Sequence, residues 1–190
     1  MNILEYEFMQ RAFIVGILLS IAIPSIGIYI VIKRLSMIGD ALSHTSLAGV
    51  ATGLILGINP VLGAVSITIL AALSIEFIRK RIPRFSELSI AIIMSTGIGL
   101  AGVLSGFVKN SVNFNSFLFG SIVAISDTEL YTILFVTFLI LGVLLVFRKG
   151  IFYILMDEQG ARLAGVPVRL INFSITVLTA LTVSVASRTV

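Results

Sequence analysis

Asp40 and His44 stand four residues apart in the stretch GDALSH (39–44), and His44 is the only histidine of the chain. A carboxylate oxygen beside an imidazole nitrogen is a donor set suited to Zn²⁺, Mn²⁺ or Fe²⁺. Because histidine titrates near neutrality, the same pair could instead relay protons. A third role is structural: Asp40 lies six residues beyond Arg34 and could cap a helix from the headgroup region, with His44 snorkelling or hydrogen-bonded nearby. Spacing alone leaves all three open. On one helix at about 100° per residue, the two side chains fall within about 40° of each other, one turn apart. Leu47, Ala51 and Leu54 continue their stripe, while Gly49, Gly53 and Gly57 recur on the opposite face, a small-xxx-small pattern that lets a second helix approach closely. A metal reading needs more donors than one helix supplies, since zinc commonly takes four ligands and manganese often more. A second copy across a two-fold axis would double the set.

The surroundings of this pair are apolar. The chain has 190 residues, 58% hydrophobic and 12% charged, with a mean hydropathy of +1.15, values that exclude a water-soluble domain with a polar surface. Hydrophobic runs at 12–32, 41–58, 60–78, 88–108, 128–147 and 168–187 predict about six membrane-spanning helices, each of the roughly 20 residues that cross the hydrocarbon core. The fold class is therefore an all-α polytopic bundle in the cell membrane. An aqueous path or a partner must meet Asp40 and His44, because an acid in hydrocarbon costs on the order of 3 kcal/mol.

The 13 basic residues give a net charge of +4, but they gather at the ends of the runs, so nucleic acid is not the expected partner and membrane lipid is. Lys33, Arg34, Arg79, Lys80, Arg81, Arg84, Arg148, Lys149, Arg162 and Arg169 share one side if alternate loops do; Arg11, Lys109 and Arg188 take the other. By the positive-inside rule this places the N-terminus outside. Glu5 and Glu7 precede the first run, which reads as a retained helix rather than a cleaved signal. With no cysteine in the chain, disulfides and thiolate metal sites are excluded.

No linker or low-complexity tract divides residues 1–190, which read as one membrane domain. The outward segment 110–130 is too polar at its start to cross; its FLFG piece reads as either an interfacial helix or a connecting loop. The inward loop 147–169 contains DEQGARLAGVP, in which Asp157 and Glu158 open a short helix, Gly165 ends it and Pro167 starts the next element. Such a helix, parallel to the membrane, is either a docking surface or a shield for the bundle.

The stretch VIKRLSMIGDALSHTSLAGVATGLILGINP (31–60) resembles the signature region of bacterial zinc/manganese/iron ABC-transporter permeases. FMQRAFIVG (8–16), FLFGSIVAIS (117–126), DEQGARLAGVPVRLINF (157–173) and TALTVSVASR (179–188) are similar to further landmarks of that family in the same order. The resemblance implies a homodimeric permease that works with a separate cytoplasmic ATPase and an extracytoplasmic metal-binding protein. It implies that Asp40 and His44 are the membrane-embedded ligands of the transported ion, with no permanently bound cofactor. It also implies that residues 150–168 form the cytoplasmic coupling loop, with Asp157, Glu158, Ala161 and Gly165 pressed against the ATPase. Permeases of the family usually run several tens of residues further, so C-terminal helices beyond Val190 are expected to be missing here.

No phosphate loop of the form GxxxxGK[ST] occurs, so ATP hydrolysis is assigned to the partner chain. A single histidine cannot build HExxH, and no catalytic serine motif is present; the chain reads as a transporter subunit, not an enzyme. The alternative within transport is a proton- or sodium-coupled secondary carrier that uses Asp40 and His44 as its relay.

Overall fold

The computed structural model describes residues 7–82, 85–108 and 127–189, and these are helical with short connections. The helices are α1 (Glu7–Ile32), α2 (Ile38–Leu56), α3 (Pro60–Arg81), α4 (Ser86–Ser105), α5 (Asp127–Met156), the single short α6 (Glu158–Leu163) and α7 (Val168–Thr189). The FLFG segment falls outside the described residues. Five helices, α1, α3, α4, α5 and α7, are long and apolar enough to cross a membrane. The chain is a multi-pass membrane protein.

α2 is not among those five, where about six spans are expected. It has 19 residues, enough to cross, but Asp40, His44 and its serines and threonines dilute its apolar character. Its place in the bundle explains the tolerance: α3, α4 and α7 all pack against it, so most of its surface meets protein. A helix enclosed in this way needs no continuous lipid-facing stripe.

α5 is also longer than its apolar run. It continues through Arg148, Lys149 and Gly150 to Met156, about 45 Å at 1.5 Å per residue against a hydrocarbon core of about 30 Å. The first part of the expected loop is therefore helix, and the residues outside the long helices run from Asp157 to Pro167. Gly150 admits Ile171 of α7 to that extension; a Cβ there would sit 2.5 Å from the Ile171 Cδ1.

Three large apolar clusters, with a small one of Val50, Ala51 and Ala64 between α2 and α3, hold the bundle. Val15, Leu19 and Ile26 of α1 meet Ile133 and Ile140 of α5 and Leu178 of α7. Leu35, Ala41, Leu42, Ala72, Ile75 and Ile90 join the start of α2 to α3 and α4. Tyr29, Ile154, Ala161, Ile171 and Ile175 seat α6 against α1, α5 and α7. The α2/α3 contact sets backbone against backbone: a Cβ on Gly49 would lie 2.6 Å from both the Ala64 Cα and the Gly63 carbonyl oxygen, and one on Gly53 would lie 2.9 Å from the Pro60 Cα. Gly57, expected on the same packing face, does something else. Its φ is +69° and its N–H closes the end of α2 on the Gly53 carbonyl, the left-handed cap that glycine adopts most easily. Asn59 then accepts from the Val61 N–H at 2.9 Å and starts α3 with Pro60 in its first turn.

Candidate functional site

Asp40 is the third residue of α2, which begins at Ile38, and the cap position belongs to Met37. The capping role for Asp40 is thereby removed: it sits inside the first turn, where a carboxylate still favours the positive end of the helix dipole. His44 follows one turn later, its Nε2 3.6 Å from the Asp40 Oδ1. That separation is too long for a hydrogen bond but suits two donors converging on a third atom. The side chains are 54% and 39% exposed, respectively. Behind them, Ala41, Leu42, Thr45 and Ser46 are buried, and Thr45 touches α4 so closely that a Cβ on Gly97 would be 2.6 Å from its methyl group. Leu47 is half-buried and Ala51 is fully buried. The polar pair thus lies on an open part of the helix near its start, while Ile55 and Leu56 are exposed at its far end. Among the described residues, no third His, Asp or Glu joins it in a metal-sized cluster.

A second polar region gathers at the end of the bundle where α1 meets α2, α3 ends and α7 begins. The Tyr29 hydroxyl donates to the Asn172 Oδ1 at 2.8 Å. Glu76 is 7% exposed and is held by Arg79 and by Lys80, whose Nζ lies 3.1 Å from its Oε1. Two cations one turn ahead make a buried carboxylate tolerable there. Lys33 donates to the Glu158 Oε2 at 2.7 Å, and Arg162 to the Oε1 at 2.7 Å. Of these residues only Glu158 is among the candidate site residues drawn from the sequence, and its partners Lys33 and Arg162 are not. The signal for Glu76 is present in EFIRK (76–80), an acid three and four residues before two bases; the partners of Tyr29 and Lys33 lie over a hundred residues away and leave no local trace.

The short helix α6 follows its sequence closely. Asp157 is its N-cap, accepting from the Gln159 N–H at 2.9 Å, and Gly165 takes a φ of +78° just past its end. A residue with a Cβ would pay about 1–2 kcal/mol for that left-handed backbone. Ala161 is 2% exposed and faces the bundle, so its part is to seat α6. Leu163, which the sequence reading passes over, is 91% exposed.

Burial alone would raise the Glu158 carboxyl, but the hydrogen bonds donated by Lys33 and Arg162, with their charges, outweigh it and hold its pKa below the usual value. A carboxylate lowered on folding stabilises the native state fully above its unfolded pKa, and that contribution is lost as pH falls through the folded value. A double-mutant cycle of Lys33→Met and Glu158→Gln, read by thermal unfolding in detergent, is expected to give a coupling energy at neutral pH that disappears on acidification below the ordinary glutamate range. A coupling that is flat across that range would contradict the assignment.

The model of a family described as the ABC 3 transport family matches residues 5–190. A probable metal transport system membrane protein of Treponema pallidum is 33% identical over 183 residues, covering 95% of this chain and 68% of the relative. The manganese transport system membrane protein MntC of Listeria innocua is 30% identical over 96% of this chain and 66% of its own length. The high-affinity zinc uptake system membrane protein ZnuB of Haemophilus influenzae is 27% identical, over 96% and 70%. Among solved structures, PsaBC from Streptococcus pneumoniae in complex with Fab superimposes with a TM-score of 0.82 at 32% identity, covering 98% of this chain and 68% of that one. The chain spans about two thirds of the length of these relatives. The family match covers nearly every residue, the fold superimposes on that of a solved relative, and the chain belongs to the ABC 3 transport family.

Proposed function

We propose that this chain is the membrane-spanning subunit of an ATP-driven importer of a divalent metal ion, with Asp40 and His44 as the protein ligands of the ion in transit. The observation that carries this reading is their convergence at 3.6 Å on an exposed part of a helix that packs closely against α3 at Gly49 and Gly53 and against α4 at Thr45. Two donors are too few for a four-coordinate ion, so a second copy across a two-fold axis supplies the remaining pair. Two carboxylates then offset the double charge, and mixed oxygen and nitrogen coordination releases the ion more readily than a closed structural site would. Manganese and zinc are the metals carried in relatives' names; the same donors accept iron, which stays among the metals to be assayed.

In this reading the N-terminus lies outside, and Lys33, Arg34 and Arg79–Arg81 face the cytoplasm. An extracytoplasmic binding protein delivers the ion. The α6 region, with Asp157, Glu158 and Gly165 shaping it and Ala161 seating it, meets the ATPase, and the exposed Leu163 gives the contact an apolar anchor of the kind that concentrates binding energy.

The test is metal-resolved uptake by cells that carry the chain together with its ATPase and binding protein. Uptake of one divalent metal is expected to vanish when the phosphate-loop lysine of the ATPase is replaced, and to persist when a protonophore collapses the proton gradient. The opposite pattern, survival without ATP hydrolysis and loss with the protonophore, would establish a secondary carrier instead.

A further inference from the structure

Lys33 and Glu158 join parts of the chain 125 residues apart. The ion pairs Glu7–Arg11, Glu76–Arg79, Glu76–Lys80 and Glu158–Arg162 each lie within one helix. The long-range pair connects α6 to the first residue of the turn between α1 and α2. Its lysine is 14% exposed and its carboxylate 33%, so both heads are largely withdrawn from water, where a charge-assisted contact of 2.7 Å is stiff. The Lys33 Nζ also lies 6.0 Å from the centre of the Tyr29 ring, whose hydroxyl is tied to Asn172 of α7.

Beyond Lys33 the chain has little slack. Arg34 occupies the left-handed region at φ +56°, a conformation that costs a residue with a Cβ about 1–2 kcal/mol. The Leu35 N–H donates back to the Ile30 carbonyl at 2.9 Å and the Ile38 N–H to the Leu35 carbonyl at 2.9 Å, while the Leu35 side chain is buried beside Ile38, Leu42 and Ile75. A displacement of Lys33 therefore cannot be absorbed by a floppy linker. It reaches the first turn of α2, whose third residue is Asp40. Farther along, Gly49 and Gly53 clamp α2 against the backbone of α3, so that a push at its start tilts the helix about that clamp and moves Asp40 and His44 more than its far end.

We propose that the Lys33–Glu158 pair is a positioning joint that carries movement of α6 through the α1–α2 turn to Asp40 and His44. The inference rests on the reading that α6 meets the ATPase. It adds that Lys33 and Glu158, which touch neither ion nor nucleotide, set how much metal moves for each ATP consumed.

The experiment uses the assembled transporter, with ATPase and binding protein, in proteoliposomes. Lys33→Met, Glu158→Gln and Lys33→Arg variants are compared for ATPase retained on purification, ATP turnover and metal taken up. Lys33→Met is expected to keep the ATPase and its turnover while metal transported per ATP falls about tenfold, a coupling loss within the usual range; Glu158→Gln, on the docking helix itself, is expected to show the same fall in that ratio among the complexes that retain ATPase. Lys33→Arg keeps the charge and the donor and is expected to restore the ratio. If Lys33→Met fails to reach the membrane, Glu158→Gln carries the comparison alone. An unchanged ratio, or a Lys33→Arg variant as uncoupled as Lys33→Met, overturns the joint. A wild-type chain that retains no ATPase at all overturns the reading of α6 first, and the joint with it.

Discussion

His44→Ala is expected to take up metal at a rate lowered by roughly 100-fold or more at limiting metal concentration, while its level in the membrane matches that of the unmodified chain. In the proposed site the size follows from losing a direct ligand, since replacing even the outer partners of metal ligands costs about 10–100-fold in affinity. In the proposed two-fold arrangement, one substitution removes two nitrogens from the shared set. The unchanged protein level follows from the packing. His44 is 39% exposed and the contacts that build α2, through Ala41, Leu42, Thr45, Gly49 and Gly53, lie on other faces. The alanine therefore removes coordination without opening a cavity in the α2/α3/α4 core. Asp40→Asn should fall nearly as far, because the amide keeps an oxygen donor but loses the charge that offsets the ion. Uptake by His44→Ala equal to the control, at matched protein level and limiting metal, would remove the site from the mechanism.

Much of this arrangement is legible in one sequence because membrane helices obey strong local rules. Hydrophobic length marks the spans, and the helical turn places Asp40 beside His44 and both away from Gly49 and Gly53. The DEQGARLAGVP stretch announces α6 through an acidic cap and a terminal glycine, and Asp157 and Gly165 take those two positions. What the sequence hides has two physical sources. One is that apolar runs record where lipid lies, not where a helix ends. Arg148 and Lys149 close the apolar run within α5, yet the helix continues to Met156 because Ile154 packs beside Val168 and Ile171. α2, conversely, is polar enough to drop out of the spans because protein surrounds it. The other source is distance along the chain. The contacts of Lys33 with Glu158 and Tyr29 with Asn172 depend on how α1, α6 and α7 come together, which no local window contains. Gly57 shows a limit of periodicity itself: it continues the four-residue glycine repeat, yet the helix has already ended there and its left-handed φ serves the turn into α3.

That difference between glycines makes a graded prediction. Gly49→Ala is expected to lower the stability of the detergent-solubilised protein by about 3 kcal/mol, the upper part of the usual range for overpacking. Its new Cβ would fall 2.6 Å from the Ala64 Cα and the Gly63 carbonyl oxygen, which are backbone atoms of α3 that no rotamer change can move. The two helices must separate along the whole contact, and since van der Waals packing rather than the hydrophobic effect holds helices together in lipid, the loss is not recovered elsewhere. Gly57→Ala meets no neighbouring atom within 4 Å and pays only for its positive φ, about 1–2 kcal/mol. Gly102→Ala, exposed on α4 with nothing within 4 Å, gains helix propensity and should be neutral or slightly stabilising. Thermal unfolding of the three variants in one detergent separates these causes. Because α2 carries Asp40 and His44, separation at Gly49 also shifts the metal ligands, so this variant should lose uptake beyond what its reduced level explains. Equal melting for Gly49→Ala and Gly102→Ala would mean that α2 is not clamped on α3, and the pivot about which Asp40 and His44 are argued to move would not exist.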